Sequence, residues 1–342
     1  MLLVTCACST TNQIVLQTME PSPVALPNVI KKIGIIDRSA PSEEVIIENR
    51  VDQYLAAENR WLSEKGTNAA MNGLFDELLK DNRFETVKLL DSVSPTMKDF
   101  GSTSDSISWE SVEALCEAYE VDAVFSLAYY DTDTKVSLKK TSVVQTDLLR
   151  QKSKVRGQEI TLETLIENGW RIYDPVSRRV IDEIVFNDQI VSTGKGVDPV
   201  QAYQSIGDRR DSILSKSRTT GSNYGLRLLP YENSVSRSYF TKGTENFVRA
   251  NDLVVSGDWQ AASILWEQET ENADAKIRAR GCLNLAVMNE RADNLEKALE
   301  WANRALDNHS NKTTLGYLDA LGQRIEQKDL LKRQMAHYEL SK

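Results

Sequence analysis

The 342-residue chain carries 41 Lys and Arg against 50 Asp and Glu, a formal charge of −9. That balance argues against a dedicated nucleic-acid binder, which needs a concentrated basic surface to displace phosphate counterions. The length provides for two domains of roughly 100–200 residues each, and the apolar content can supply a core to both.

The first residues, Met1 to Cys8, read as the end of a lipoprotein signal peptide. A short apolar stretch and a small residue precede a cysteine placed for acylation, and Cys8, after Ala7, is a better acceptor than Cys6. Residues 1–8 are therefore assigned as residual signal and acylation site. Residues 9–27 are polar and proline-punctuated, with no helical or strand period, and are expected to be a linker. No later segment approaches the roughly 20 apolar residues that cross a bilayer, so attachment is expected through lipid. Ser9 to Gln13 lack the early acidic residues that mark surface export in lipoproteins of the Bacteroidetes type. A bacterial envelope location is expected, on the outer membrane and facing the periplasm.

Residues 28–242 alternate between strand and helix patterns. Ile33 to Ile36 form an apolar run suited to a buried strand; Ala69, Ala70, Leu74, Phe75, Leu78 and Leu79 fall at helical spacing; Phe84 to Leu90 alternate as a second strand. Ser108 is placed to cap a helix that turns Val112, Leu115, Cys116 and Tyr119 inward. Val121 to Tyr130 make a central strand. Strands over 160–173 and 180–190 are joined by a turn at Asp174-Pro175. Residues 199–229 read as a long helix or a pair broken at Gly221, and 234–240 as a possible last strand. The expected fold is a mixed α/β sheet of three to five strands with covering helices.

Beyond this domain a period appears. Ala250, Ala286 and Ala320 recur about 34 to 36 residues apart, the spacing of stacked helical hairpins. Ala250, Gly257, Trp259, Ala262 and Trp266 in one unit, and Ala286, Leu295, Ala298, Leu299 and Ala305 in the next, resemble tetratricopeptide repeats. Helices are expected over 244–255, 258–271, 275–289 and 294–308, with a degenerate capping pair over 313–325 and 329–338. This helical repeat domain is bounded at 243–342. In such arrays polar side chains line a groove for a protein or peptide partner, here Asn246, Arg249, Asn284 and Asn289; solvated helix faces are the simpler alternative.

Little in the sequence points to chemistry. His309 and His337 have no ligand-spaced neighbours, so neither a metal site nor a histidine-based triad is expected. Gly194-Lys195-Gly196 lacks the remaining residues of a phosphate loop and reads as a hairpin turn. Asp131 and Asp133 share a strand face and form the best pair for acid–base work, although a polar strand end explains them too. Arg209, Arg210, Lys216 and Arg218 are expected to pair locally with Asp208 and Asp211. Lys139, Lys140, Lys152, Lys154 and Arg156 make the densest basic cluster, a possible anion patch or a solvated hairpin face. No cofactor is expected.

Ile33-Gly34-Ile35-Ile36, the segment from Ala114 to Phe125, and Trp170 to Pro175 leading into Val180 to Glu183 together resemble the small α/β domain of bacterial envelope lipoproteins. These include curli-secretion lipoproteins, lipoprotein activators of cell-wall synthases and the N-terminal domain of the Tol-system propeller protein. With the helical repeats, the chain resembles an uncharacterised Bacteroidetes lipoprotein family. The resemblance implies a non-catalytic binding or scaffolding protein. The charged segments at 135–141 and 154–161 are expected to be short strands, which argues against a pore. The runner-up function is a glycan- or anion-binding accessory of cell-wall or outer-membrane assembly that uses the basic hairpin, and a hydrolase ranks third.

Overall fold

The apolar run near residue 33 becomes β2 (Lys32–Asp37), with Ile33, Ile35 and Ile36 fully buried. It lies in a computed structural model that describes residues 10–39, 50–90, 107–146 and 150–340. The chain divides into two units, one spanning Pro23–Leu229 and the other joining Pro230–Ala336 to the residues preceding Pro23. The sequence reading places the division at 242/243. The structure places it ten residues or more earlier because 231–240 pairs with the N-terminal strand and not with the large sheet.

The first unit holds a five-stranded mixed sheet of order β3-β2-β4-β5-β6. Its other strands are β3 (Thr86–Leu89), β4 (Ala123–Thr146), β5 (Lys152–Asp174) and β6 (Arg179–Gly196). β2 runs parallel to β3 and β4, while β4, β5 and β6 form an antiparallel meander. The charged segments expected as short strands are the distal ends of strands 24 and 23 residues long. The Asp174 turn forms as expected, with its carboxylate accepting from the Val176 amide at 3.0 Å and the Ser177 hydroxyl at 2.6 Å.

Helices α1 (Arg50–Leu78) and α4 (Arg209–Leu226) cover one sheet face over a core of Ile33, Ile35, Leu74, Phe125, Trp170 and Tyr224. Helix α2 (Trp109–Tyr119) covers the other at Ile36, Val124 and Tyr173. Its N-cap is Ser108, as read from the sequence, and its hydroxyl accepts from the Ser111 amide. A bulge between Leu127 and Tyr129 shifts the pairing of β4 by one residue, so that beyond it even-numbered residues face the helices.

Gly221 does not break a helix. It lies inside α4, where a Cβ would overlap the Ala70 carbonyl of α1, and a Cβ at Gly73 would overlap the Arg218 carbonyl in turn. The break falls instead at 205–208, between α3 (Pro199–Gln204) and α4. The glycines are present because the two helix backbones cross too closely for side chains. Gly194 and Gly196, read as a hairpin turn, are the last residues of β6, where α3 presses its backbone against them.

The second unit begins with a correction. Residues 11–20, read as linker, form β1 (Thr11–Glu20), paired antiparallel along its whole length with β7 (Tyr231–Phe240). Ile14, Leu16 and Thr18 turn inward while Gln13, Val15 and Gln17 turn outward. The partner lies over 200 residues away, and a strand that needs so distant a ladder has no local signature. Helices follow as expected: α5 (Glu245–Val255), α6 (Trp259–Glu269), α7 (Ala275–Arg291) and α8 (Leu295–Asn308). The expected terminal pair is instead one helix, α9 (Lys312–Leu340), since Glu326-Gln327-Lys328 continue a helix readily and supply no cap.

The α5–α6 and α7–α8 turns repeat each other. Gly257 (φ +89°) precedes the N-cap Asp258, which accepts from the Ala261 amide, and Asp293 (φ +59°) precedes the N-cap Asn294, which accepts from the Lys297 amide. Phe247, Ala250, Ala262 and Trp266 pack with Tyr239 in one cluster; Ala286, Ala298, Ala302 and Ala305 pack with Tyr317 and Leu321 in the next.

Candidate functional site

The polar residues expected to line a groove divide by burial. Asn284 is fully buried and uses its amide as a strand surrogate: Oδ1 accepts from the Phe240 N–H at 2.7 Å and Nδ2 donates to the Phe240 carbonyl at 2.7 Å. Asn289 is buried and donates to the Leu285 carbonyl at 2.8 Å. Neither presents a group to a ligand. Both belong to the framework, because α7 passes beneath the β1–β7 ribbon. Asn246 is half-buried and donates to the buried Glu269 at 2.8 Å, which also accepts from Thr244 at 2.6 Å and Asn272 at 3.0 Å. Only Arg249 of the four is exposed.

A different concavity opens in this unit, a cavity of about 230 Å³ bordered by Gln17, Met19, Arg291, Asp293, Lys328 and Leu331. The strand beside it is half unpaired. The Thr241 amide donates to the Thr10 carbonyl, which fixes the alternation of the ladder and turns the backbone groups of Val15, Gln17 and Met19 away from β7. Those groups make no hydrogen bond among the described residues. Val15 is 64% exposed and Met19 49%.

The wall of this cavity is held by a buried ion cluster. Glu290, with no exposed surface, accepts from Arg237 Nε at 3.1 and 3.0 Å and from Arg324 Nη1 at 2.9 Å, joining β7, α7 and α9. Arg324 and Lys328 continue outward to Asp293 at 3.4 and 2.5 Å. Burial, followed by the Glu290 charge, raises the pKa of the Tyr317 hydroxyl. The ribbon is pinned at its other end by Gln334, which accepts from the Ser22 amide at 2.8 Å and donates to its carbonyl at 3.3 Å. No single sequence window shows this arrangement, since its residues come from opposite ends of the chain.

In the sheet unit, Arg209 and Arg210 do not pair locally. Both reach the buried Glu58 of α1, Arg210 at 2.9 Å, and the Tyr203 hydroxyl donates to the same carboxylate at 2.6 Å. Arg209 also donates to Thr134 and Thr164, at 2.9 Å each. Lys216 pairs with Asp188 and Arg218 with Asp76, so these cations tie α4 to β6 and α1.

Asp131 and Asp133 share the outer sheet face, as alternation requires; Asp131 is half-buried and Asp133 exposed. The Tyr129 hydroxyl lies 3.4 Å from Asp131, and burial together with the Asp131 and Glu167 charges pushes it up to about 12. Among the described residues no group of acidic, His or Cys side chains could hold a metal ion.

The basic cluster is divided by the pleat. Lys140, Lys152, Lys154 and Arg156 point to one side of the β4–β5 hairpin, while Lys139 points to the other, opposite Glu159. Glu159 is already paired with Lys195 at 2.9 Å. Cys8 lies outside the described residues.

A family model described as a domain of unknown function, DUF8603, matches residues 30–240, more than half of the chain. The chain belongs to the DUF8603 family. The DUF8603 match contains the whole five-stranded sheet and also β7, and a second model of unknown function, DUF6340, matches residues 248–338 across the helices. No curated protein matches the chain significantly. Among solved structures, the chain is similar to the PelC dodecamer from Paraburkholderia phytofirmans, with a TM-score of 0.27 and 10% identity over 64% of this chain and 99% of that one. It is also similar to a structure from Helicobacter pylori described as a neuraminyllactose-binding hemagglutinin homolog, with a TM-score of 0.25 and 13% identity over 57% and 83% of the two chains. Among the described residues of this DUF8603 protein, no helix is long and apolar enough to cross a membrane.

Proposed function

We propose that this chain is a non-catalytic envelope protein, anchored through lipid on Cys8, that holds an extended segment of a protein partner against its helical unit. The observation that carries the reading is the β1 edge at Val15, Gln17 and Met19, unpaired among the described residues, beside a cavity lined by Arg291, Lys328 and Leu331. An extended peptide added to that edge would gain main-chain hydrogen bonds from the strand and side-chain contacts from the cavity. The recurring left-handed turns at Gly257 and Asp293 support a tetratricopeptide-like reading of α5 to α8. An outer-membrane, periplasm-facing position and kinship with Bacteroidetes lipoproteins follow from the N-terminal and sheet-domain resemblances.

The test is crosslinking in native envelope fractions, comparing the full chain with Gln17→Pro and Arg249→Ala. Proline removes the outward N–H of Gln17 and leaves the β1–β7 ladder intact, so it should abolish capture of the partner, whereas Arg249→Ala should not. A partner retained by Gln17→Pro would reject strand addition, and one lost with Arg249→Ala alone would return recognition to the exposed helix faces.

A further inference from the structure

The distal β4–β5 hairpin carries a feature that strand addition does not use. Its pairs Lys140↔Gln158, Ser142↔Arg156 and Val144↔Lys154, together with Lys152, all project to one side. Four of these seven positions are basic and none is acidic. Lys140, Lys152, Lys154 and Arg156 are all exposed, and none forms an ion pair among the described residues. That sets them apart from most other cations of the unit: Arg171, Arg178, Lys195, Arg209, Arg210, Lys216, Arg218 and Arg227 each meet a carboxylate.

The same side also exposes apolar side chains among the cations, Leu138 at 53% and Val144 at 60%. Helix α3 packs on this side at Ile160 and Leu162 through Ala202 and reaches Gly196, opposite Gln158; beyond that row Ser142, Val144, Lys154 and Arg156 stay exposed among the described residues. An acidic chain thus concentrates, on one face of the ribbon, four positive charges unpaired among the described residues and two exposed aliphatic side chains. Charge complementarity calls for an anionic surface. The interleaved Leu138 and Val144 call for one with an apolar layer just beneath its charges, which a soluble polyanion lacks.

We propose that this hairpin face docks on an anionic lipid surface, with Lys140, Lys152, Lys154 and Arg156 meeting the headgroups and Leu138 and Val144 entering the interface. The contact is separate from the β1 edge and stands or falls independently of it.

The experiment is co-sedimentation of the full chain carrying Cys6→Ser and Cys8→Ser, so that no acyl chain contributes. The vesicles are phosphatidylcholine with and without phosphatidylglycerol, at low and high salt, with soluble heparin as competitor. Sedimentation should require phosphatidylglycerol and fall with salt. Each basic side chain near the surface changes partitioning about five-fold, so Lys152→Gln with Lys154→Gln should weaken binding about 25-fold. Leu138→Ser with Val144→Ser should weaken it about five-fold or more. All six side chains are exposed, and unchanged far-UV circular dichroism would show that the variants remain folded. Equal binding to both vesicle types, or to neither, would overturn the proposal. Binding that ignores the Leu138 and Val144 substitutions and is fully displaced by heparin would overturn it too, in favour of a soluble polyanion such as an anionic glycan.

Discussion

Glu290→Ala should unfold the helical unit at much lower denaturant than the parent. The carboxylate has no exposed surface and accepts from Arg237 and Arg324, whose side chains are themselves nearly buried. Removing it leaves two guanidinium groups facing each other in a desolvated site, and breaking a buried ion cluster in this way costs about 3–5 kcal/mol. With a urea slope of about 2 kcal/mol per molar, the midpoint should fall by roughly 1.5–2.5 M. The assay is pulsed hydrogen exchange across a urea titration, read on peptides from α7 and α9, because global fluorescence mixes three tryptophans in each unit. Arg237→Ala should cost less, since Arg324 still pairs with Glu290. Replacing all three residues together with Met or Leu should recover most of the loss, as a well-packed apolar cluster carries no desolvation penalty. A Glu290→Ala shift below about 0.5 M would refute the argument, because it would mean that the cluster contributes less than about 1 kcal/mol.

Gly221→Ala should destabilise the sheet unit by about 1–3 kcal/mol despite alanine's better helix propensity, because the new Cβ meets the Ala70 carbonyl. Gly207→Ala, where a Cβ meets nothing within 4 Å, should be neutral or slightly stabilising; thermal melts of the two variants decide. Asn294→Ala removes the N-cap of α8 and should cost about 1 kcal/mol in urea unfolding. Burial raises the Cys116 thiol to about 12 and also raises Cys282. Both thiols are raised and buried and stay protonated at pH 8, so in a Cys6→Ser, Cys8→Ser chain neither should react with iodoacetamide until urea unfolds the protein. Rapid alkylation under native conditions would contradict the buried placement of both.

The elements with short-range signatures were legible. Ser108 caps α2 because a hydroxyl just before a helix can accept from the orphan amide two to three residues on, here Ser111. The Asp174 turn and the four helices from 245 to 308 likewise follow from local chemistry and from a period that persists over two units. The basic cluster was visible as composition, but its division between two faces needed the register, since a one-residue step along a strand reverses a side chain.

Three features depended on partners far away in the chain. Residues 11–20 carry too weak an alternation to announce a strand, and become one only because 231–240 supplies the ladder and α7 the floor. Asn284 and Asn289 look like solvent-seeking amides on a helix, yet one closes the edge at Phe240 and the other satisfies its own helix inside the core. Arg209, Arg210, Lys216 and Arg218 sit beside local acids in sequence but meet Glu58, Asp188 and Asp76 in space. The sequence by itself determined the type of most elements, the helical spacing and the presence of a basic cluster, because each depends on neighbours within a turn or two. The tertiary structure alone decided which polar groups are buried and, among the described residues, which strand edge stays open and which cations remain unpaired. Those outcomes depend on solvent exclusion and long-range pairing, which no local window contains.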